Sequence, residues 1–415
     1  MKKAIDRIKA ILIWSQKYTK TDMLYLAKGG IWLTLGDVVA SSLSFVMAIA
    51  FAYYISKDVF GTYKYILSIT GLLSIFALSG LDTALKRSVA QGNEGSLVPT
   101  TITAMRWATL GSICSIGVSL YYFFNQDNIL GWAFMLVAIF LPFKDNFSFC
   151  LTFIDAKKLF KTRVIYSLII NITSSALLIL TVIISKNLFV IIGAYFIPRI
   201  LVTLLFFIKT VRSIPSNAKS DPGITNYGKH LSVLRILGLV AEQLDTILLW
   251  NLLGASSVAI YSFALSPTNQ IRSFLNVIST LAFPKLAQNS LEELRRTLPG
   301  KLMTMFIIVA IITISYIIAA PFLFRIFFPK YIDSVIYSQV FSLSLLFMPR
   351  NILLDTMTAH GEKKKLYMLS LAGSGVRIVL MLIFVRIFGI WGAIGSYLLA
   401  GISSFTLSTY LFKRP

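Results

Sequence analysis

The chain has 415 residues, 56% of them hydrophobic, and a mean hydropathy of +0.77, well above the roughly 45–50% apolar content of soluble domains, so a water-soluble fold is excluded. The net charge of +22 would suit nucleic acid if it formed one polar patch, but Lys and Arg here punctuate long apolar runs. That is the pattern of membrane topology, and nucleic acid is not an expected partner.

Residues 1–28 carry Lys2, Lys3, Arg7, Lys9, Lys17, Lys20 and Lys28, interleaved with Ile5, Ile8, Ile11, Leu12 and Trp14. This reads as an amphipathic helix lying on the cytoplasmic membrane surface. No short apolar core followed by a small-residue cleavage site is present, so a cleaved leader is not expected.

Lipid offers no partner for backbone N–H and C=O groups, so about 20 apolar residues per crossing must be helical. The apolar runs predict twelve spans, at 29–55, 62–81, 102–124, 129–154, 163–184, 188–208, 230–253, 258–283, 302–324, 334–354, 366–385 and 391–411. With alternate connections taken as cytoplasmic, 26 Lys and Arg fall inside and five fall outside: Lys57, Lys186, Arg325, Lys330 and Arg386. Such a bias over short loops places both termini in the cytoplasm.

The 209–229 connection, with Ser213, Pro215, Ser216, Pro222 and Gly223, divides the spans six and six and reads as a cytoplasmic linker between an N-lobe (29–208) and a C-lobe (230–415). Six spans return the chain to its starting side, so the lobes are expected to be parallel repeats about an axis along the membrane normal. Ile192-Gly193-Ala194-Tyr195 recurs as Ile394-Gly395-Ser396-Tyr397, and Tyr63, Leu67 and Ser68 recur as Tyr261, Leu265 and Ser266. The two shifts are nearly equal, at about half the chain length. The fold class expected is an all-α integral membrane protein of about twelve transmembrane helices in two pseudo-symmetric lobes.

A charged side chain at mid-bilayer costs about 2.5–3.5 kcal/mol on insertion scales, so each one calls for a polar cavity, a partner or a place near the surface. Arg272 and Arg377 lie nearest the middle of their spans and suit an electropositive lumen that holds a diphosphate or an acidic sugar; a structural contact between helices is the other reading. Arg235, Glu242 and Asp245 share one span, with Arg235 and Glu242 on nearly the same face. Arg235 could grip an anion while Glu242 or Asp245 accepts a proton or sodium ion, or the three could simply neutralise one another. Asp37 occupies the corresponding first span and, by analogy with the seventh, is a further cavity candidate for ion coupling. Lys144 and Asp145 follow Pro142, and as helix neighbours about 100° apart they are not expected to pair. Arg199 follows Pro198 in the same proline-then-cation order, and Arg199 and Lys144 join Arg272, Arg235 and Arg377 as candidate substrate-binding cations of the cavity. Arg106 and Arg350 lie near predicted cytoplasmic helix ends and are expected to snorkel.

Cys114 and Cys150 lack a CxxC or Cys/His partner, and read as small buried apolar groups. His230 and His360 fall at helix ends. No nucleotide loop, nucleophile triad or metal set is legible, and no cofactor is expected.

Phe60-Gly61-Thr62-Tyr63 after the first span, Gly80 and Arg87 around the end of the second, Asp245 with Leu252-Leu253-Gly254, Tyr261, and Phe283-Pro284 together resemble the polysaccharide flippases of the multidrug/oligosaccharidyl-lipid/polysaccharide exporter superfamily, over essentially the whole chain. The resemblance implies two six-helix lobes around a central cavity opened alternately to each side. It also implies a sugar chain on undecaprenyl diphosphate as cargo, moved to the outer leaflet of a bacterial or archaeal plasma membrane for O-antigen, capsule or exopolysaccharide assembly, with other assembly proteins as further partners. Two other functions remain open: an ion-coupled drug or cation exporter, whose cavity should be acidic and aromatic, and a membrane-embedded glycan polymerase or ligase, which needs a sizeable outer-face domain.

Overall fold

A computed structural model describes the backbone of residues 23–214 and 217–414, and the side chains of these residues except 23–35, 277–285, 287 and 288. The amphipathic segment expected at 1–28 lies, up to residue 22, outside the described residues. The first half of the chain contains α1 (Met23–Tyr54), α2 (Lys57–Leu73), α3 (Leu81–Ala90), α4 (Leu97–Phe124), α5 (Asn128–Phe140), α6 (Phe149–Ala156), α7 (Phe160–Ile184) and α8 (Leu188–Ser213). The second contains α9 (Ile224–Leu253), α10 (Ala255–Gln288), α11 (Leu291–Phe327), α12 (Val335–Ser342), α13 (Arg350–Ala359), α14 (Lys363–Phe388) and α15 (Ile390–Lys413). Ser56, Asp127, Asn187 and Ser290 accept hydrogen bonds from the first turns of the helices that follow them, satisfying donors a helix start leaves free.

Ten of the described segments are long and apolar enough to cross a bilayer. The α5–α6 pair and the 34-residue α10 supply two more, so the twelve expected crossings are all present. Two of them are interrupted. In the fourth, residues 141–145 form turns around Pro142, whose missing N–H and ring oppose a continuous helix. In the tenth, α12 passes through a 3-10 turn (Leu343–Phe347) and Pro349 before α13 begins. These breaks fall at corresponding places in the two halves, the arrangement by which carriers build sites at membrane depth.

The packing repeats with the sequence. In the first half α1 packs on α7, α7 on α8, α3 on α6 and α4 on α5; in the second α9 packs on α14, α14 on α15, α10 on α13 and α11 on α12. Large apolar side chains such as Ile113, Phe124, Ile184, Leu205, Ile318 and Ile387 point outward, whereas Ser115, Ser119, Ser338, Ser396 and Ser408 are buried between helices. Lipid tails are as apolar as leucine, so close packing of small residues and hydroxyl bonds across helices take over from the hydrophobic effect. At the α4–α5 crossing, Ser115 Oγ donates to the Phe134 carbonyl at 2.8 Å and Ser119 Oγ to that of Gly131 at 2.7 Å. Such bonds contribute about 0.6 kcal/mol each. Cys114 and Cys150 are both free, and only Cys150 is buried; Cys114 faces outward.

The halves meet where α9 packs on α2 and α3, and α10 on α1 and α2. At one end of this interface a Cβ on Gly61 would lie 1.9 Å from the Ala255 carbonyl oxygen, so no side chain fits between α2 and α10. There Lys57 pairs with Asp333 at 2.8 Å and Lys330 Nζ donates to the Tyr53 carbonyl at 2.6 Å. At the other end a Cβ on Gly80 would lie 2.4 Å from the Gly228 carbonyl oxygen, and the Gly80 N–H donates to Ser232 Oγ at 2.9 Å. The described part of the connection between the halves is docked beside this second seam, with the Lys219 carbonyl accepting from Gly95 N–H at 2.8 Å and Asn217 Nδ2 donating to the Gly92 carbonyl at 2.8 Å. Both seams are closed.

Candidate functional site

A cavity of about 600 Å³ opens within the second half, lined by residues 238–404 of α9, α10, the Leu343–Met348 break, α13, α14 and α15. On α14 its wall runs from Leu366 to Arg377, about 16 Å at a rise of about 1.5 Å per residue. It therefore reaches from the α13–α14 turn, beside Thr358 and Leu366, to about the middle of the crossing. Apolar groups (Phe347, Met348, Leu354, Leu369) and small ones (Gly373, Ser374, Gly401) make up much of the wall.

Three guanidinium groups enter this space: Arg272 from α10, Arg350 from α13 and Arg377 from α14. Arg272 Nη1 donates to the Tyr397 hydroxyl at 2.6 Å and Nη2 to Ser344 Oγ at 2.8 Å, while its Cζ lies 5.4 Å from the Tyr397 ring centre. Arg377 Cζ lies 4.8 Å from the same ring centre. Arg350 Nη1 bonds Ser404 Oγ. Among the described residues neither Arg272 nor Arg350 has a carboxylate in ion-pair range; their partners are hydroxyl, amide and aromatic groups, which orient a cation without neutralising it.

The acidic groups are arranged differently. Glu242 is exposed on the cavity wall. Asp245, one turn further along α9, is buried behind the wall at 5% exposure. Its Oδ2 accepts from the Tyr261 hydroxyl at 2.7 Å and from Arg377 Nη2 at 3.3 Å, and its Oδ1 accepts from the Thr246 N–H at 2.7 Å. Lys64 of α2 lies within electrostatic reach of the same carboxylate, from across the interface between the halves.

Of the residues singled out in the sequence, Arg272, Arg377 and Glu242 thus share one cavity, with Asp245 attached to it through Arg377. Arg235 is elsewhere: Nη1 donates to the Ser79 carbonyl at 2.9 Å and Nη2 to Thr83 Oγ1 at 3.0 Å, so it bridges α9 to the first half at the Gly80 seam. Arg199 and Lys144 form a separate group in the first half, around Asp145, at 4.0 and 3.5 Å. The Lys144–Asp145 contact corrects the expectation that these neighbours do not pair. That expectation assumed a helix, and the chain turns here instead. Asp37 is exposed on α1, away from the cavity residues.

Three groups were not singled out as site residues from the sequence. Arg350 was expected to snorkel to the surface, but the break before α13 turns it into the cavity. Its signal was Pro349, the same proline-then-cation order seen at Pro142 and Pro198. Tyr397 was legible as the last residue of the internal repeat. Its counterpart Tyr195 packs edge-on against Tyr63 at 6.0 Å in the first half, and Tyr397 packs against Phe341 at 4.9 Å in the second. Lys64 had no signal beyond being a charge inside a span.

The family profile described as "Polysaccharide biosynthesis protein" matches residues 26–290. No curated protein matches the sequence. Among solved structures the chain is similar to the lipid II flippase MurJ in an inward closed conformation, with a TM-score of 0.61 at 15% identity over 92% of this chain and 88% of that one. It is similar to a MATE protein in complex with MaD3S, with a TM-score of 0.60 at 12% identity over 94% of this chain and 95% of that one. It is likewise similar to the eukaryotic MATE transporter AtDTX14, with a TM-score of 0.60 at 12% identity over 94% and 97% of the two chains. With the profile spanning most of its length, the chain belongs to the polysaccharide biosynthesis protein family, and it shares its fold with MATE and MurJ.

Proposed function

We propose that this membrane protein is a flippase that carries a lipid-linked oligosaccharide, joined to undecaprenyl through a diphosphate, from the cytoplasmic to the outer leaflet of a plasma membrane. The observation that carries the reading is the convergence of Arg272, Arg350 and Arg377 on one cavity whose wall, among the described residues, offers a single carboxylate, Glu242. Moving a phosphate out of water is costly unless charged donors replace its hydration, and a guanidinium fork does so with two parallel bonds. The likeness in fold to MurJ, by its name a lipid II flippase, supports an anionic lipid headgroup as cargo.

The cavity runs toward the α13–α14 turn and Lys363–Lys365, the side that the charge bias makes cytoplasmic, where cargo would load. The headgroup enters the cationic space while the lipid tail stays in the bilayer. Transport then requires the two seams to open in turn, the Gly80 seam inward and the Gly61 seam outward. Glu242, exposed in the cavity, is the acidic group best placed to exchange a proton or sodium ion; Asp245 is tied up by Tyr261, Thr246 and Arg377. Three guanidiniums against one wall carboxylate argue against a drug-cation exporter, and the short connection at Pro329–Ser334 leaves no room there for a polymerase domain.

The test is replacement of Arg272 by Ala in cells that depend on this protein for surface glycan. Export should fall at least tenfold while the lipid-linked intermediate accumulates. Unchanged export at normal protein level removes the cavity from the mechanism.

A further inference from the structure

Asp245 is placed as no freely exchanging ion site would be. It is buried, and two short bonds hold it independently of any cation: the Tyr261 hydroxyl and the Thr246 N–H, both at 2.7 Å. Thr246 Oγ1 adds a longer bond to Oδ1 at 3.3 Å, and the remaining contact, to Arg377 Nη2, is the one made to a cation. At 3.3 Å it is longer than the roughly 2.7–2.9 Å of a well-formed guanidinium–carboxylate bond, and it uses one of the five guanidinium N–H donors. Arg377 Nε is buried with no hydrogen-bond partner among the described residues. The carboxylate is thus firmly anchored, and the arginine is loosely held to it.

We propose that Asp245 is the resident counter-anion of the cavity: in the empty carrier it occupies Arg377, and an incoming phosphate must displace it to bind. The inference rests on the cavity being an anion site and adds the residue that sets its affinity. Displacement takes one long bond from Arg377 and offers it two or more to phosphate oxygens, including one for Nε. Asp245 stays in place, still bonded to Tyr261 and Thr246 and within reach of Lys64 from the first half. When cargo leaves, the carboxylate recaptures the guanidinium, so Arg377 is not left unpaired in the returning carrier. The same competition keeps binding weak enough for release.

The apparent affinity of a site that is free only part of the time is reduced by the free fraction. If Arg377 is released from Asp245 in about a tenth of molecules, Asp245→Asn should bind anions about tenfold more tightly. The measurement is calorimetric titration of the full-length protein in lipid nanodiscs with inorganic pyrophosphate. Asp245→Asn should bind about tenfold tighter than the native chain and turn over more slowly in export, and adding Arg377→Gln should abolish the gain. A merely structural Asp245 would lose binding and transport together. An Asp245→Asn protein with native melting temperature that binds pyrophosphate no tighter overturns the proposal, even if the native chain binds. Absence of pyrophosphate binding in every form overturns the anion-cavity reading and this inference with it. Because Asp245→Asn alters a buried network, the native chain supplies a second readout: pyrophosphate should shift an Asp carboxylate band in the infrared difference spectrum, and the shift should vanish in Arg377→Gln. A spectrum without that band sinks the proposal without any change at Asp245.

Discussion

The Arg272 guanidinium donates to the Tyr397 hydroxyl at 2.6 Å, so the cation nearest mid-membrane on α10 is aimed by a tyrosine from α15 whose ring also lies 4.8 Å from Arg377. One aromatic side chain therefore orients two of the three cavity cations. Tyr397→Phe keeps the ring and its cation–π attraction but deletes the hydroxyl. A hydrogen bond to a charged group is worth about 1.5–3 kcal/mol, and half-burial puts this one at the low end. Pyrophosphate binding should weaken about tenfold, which is about 1.4 kcal/mol. Tyr397→Ala, which also removes about 0.5–2 kcal/mol of cation–π interaction, should weaken it further. Calorimetry on both variants checks the order, and equal affinity for the native and Phe forms would show that Arg272 needs no such support.

Arg235 separates the sequence reading from the structural one. Its helical spacing from Glu242 suggested a shared face, and it is on α9 with Glu242, but its donors reach Ser79 and Thr83 rather than the cavity. Arg235→Ala should leave pyrophosphate affinity within about twofold of native and still lower export, because it loosens one seam between the halves. Loss of binding to the degree expected for Arg272→Ala would return Arg235 to the substrate site.

The twelve crossings, the two repeated halves and the mid-span position of Arg272 and Arg377, which share one cavity, were legible because each rests on a property that survives without three dimensions. Apolar length, alternation of charge and repeat shift are all one-dimensional. Arg350 was misread because its helix is broken: measured along a straight span it sits near an end, and only the 343–349 turn carries it inward. The Lys144–Asp145 pair was missed for the same reason, a turn where a helix was assumed. Lys64 and the Asp245–Arg377 contact are products of packing between distant segments, 181 and 132 residues apart, and no local pattern encodes them.

Glu242 is the exposed carboxylate of the cavity wall. If it exchanges a proton or sodium ion, Glu242→Gln should leave pyrophosphate binding intact or slightly tighter, since one repelling charge is gone. It should abolish the response of transport to an imposed pH or sodium gradient in proteoliposomes. A gradient response equal to that of the native protein would move coupling to another group, with Asp37 the next to test.

Lys57 and Asp333 join the halves at 2.8 Å with Asp333 largely exposed, so the pair contributes about 0–1 kcal/mol. Charge reversal at either residue should lower the melting temperature slightly and open the Gly61 seam, read as faster thiol labelling of a cysteine placed at Asp58. The double reversal, Lys57→Asp with Asp333→Lys, should restore slow labelling. Labelling that stays fast in the double variant would show that the seam is held by its glycine and aromatic contacts alone.

The two interfacial glycines offer the sharpest test of alternating access, because each closes a different end by letting backbones touch. A Cβ at Gly61 would sit 1.9 Å from the Ala255 carbonyl oxygen, and one at Gly80 2.4 Å from that of Gly228; both are backbone atoms that cannot swing aside as a flexible side chain would. Gly61→Ala should therefore prevent closure at the Lys57 end and leave the Gly80 end closed, whereas Gly80→Ala should do the reverse. Each should reduce export at least tenfold while pyrophosphate binding persists, since neither residue lines the cavity. Impermeant thiol reagents on reporter cysteines at the two ends read the outcome. Gly61→Ala should raise labelling at the Lys57 end only, and Gly80→Ala at the opposite end only. If both variants open the same end, or if either transports at the native rate, the seams are not gates and the halves do not rock about them.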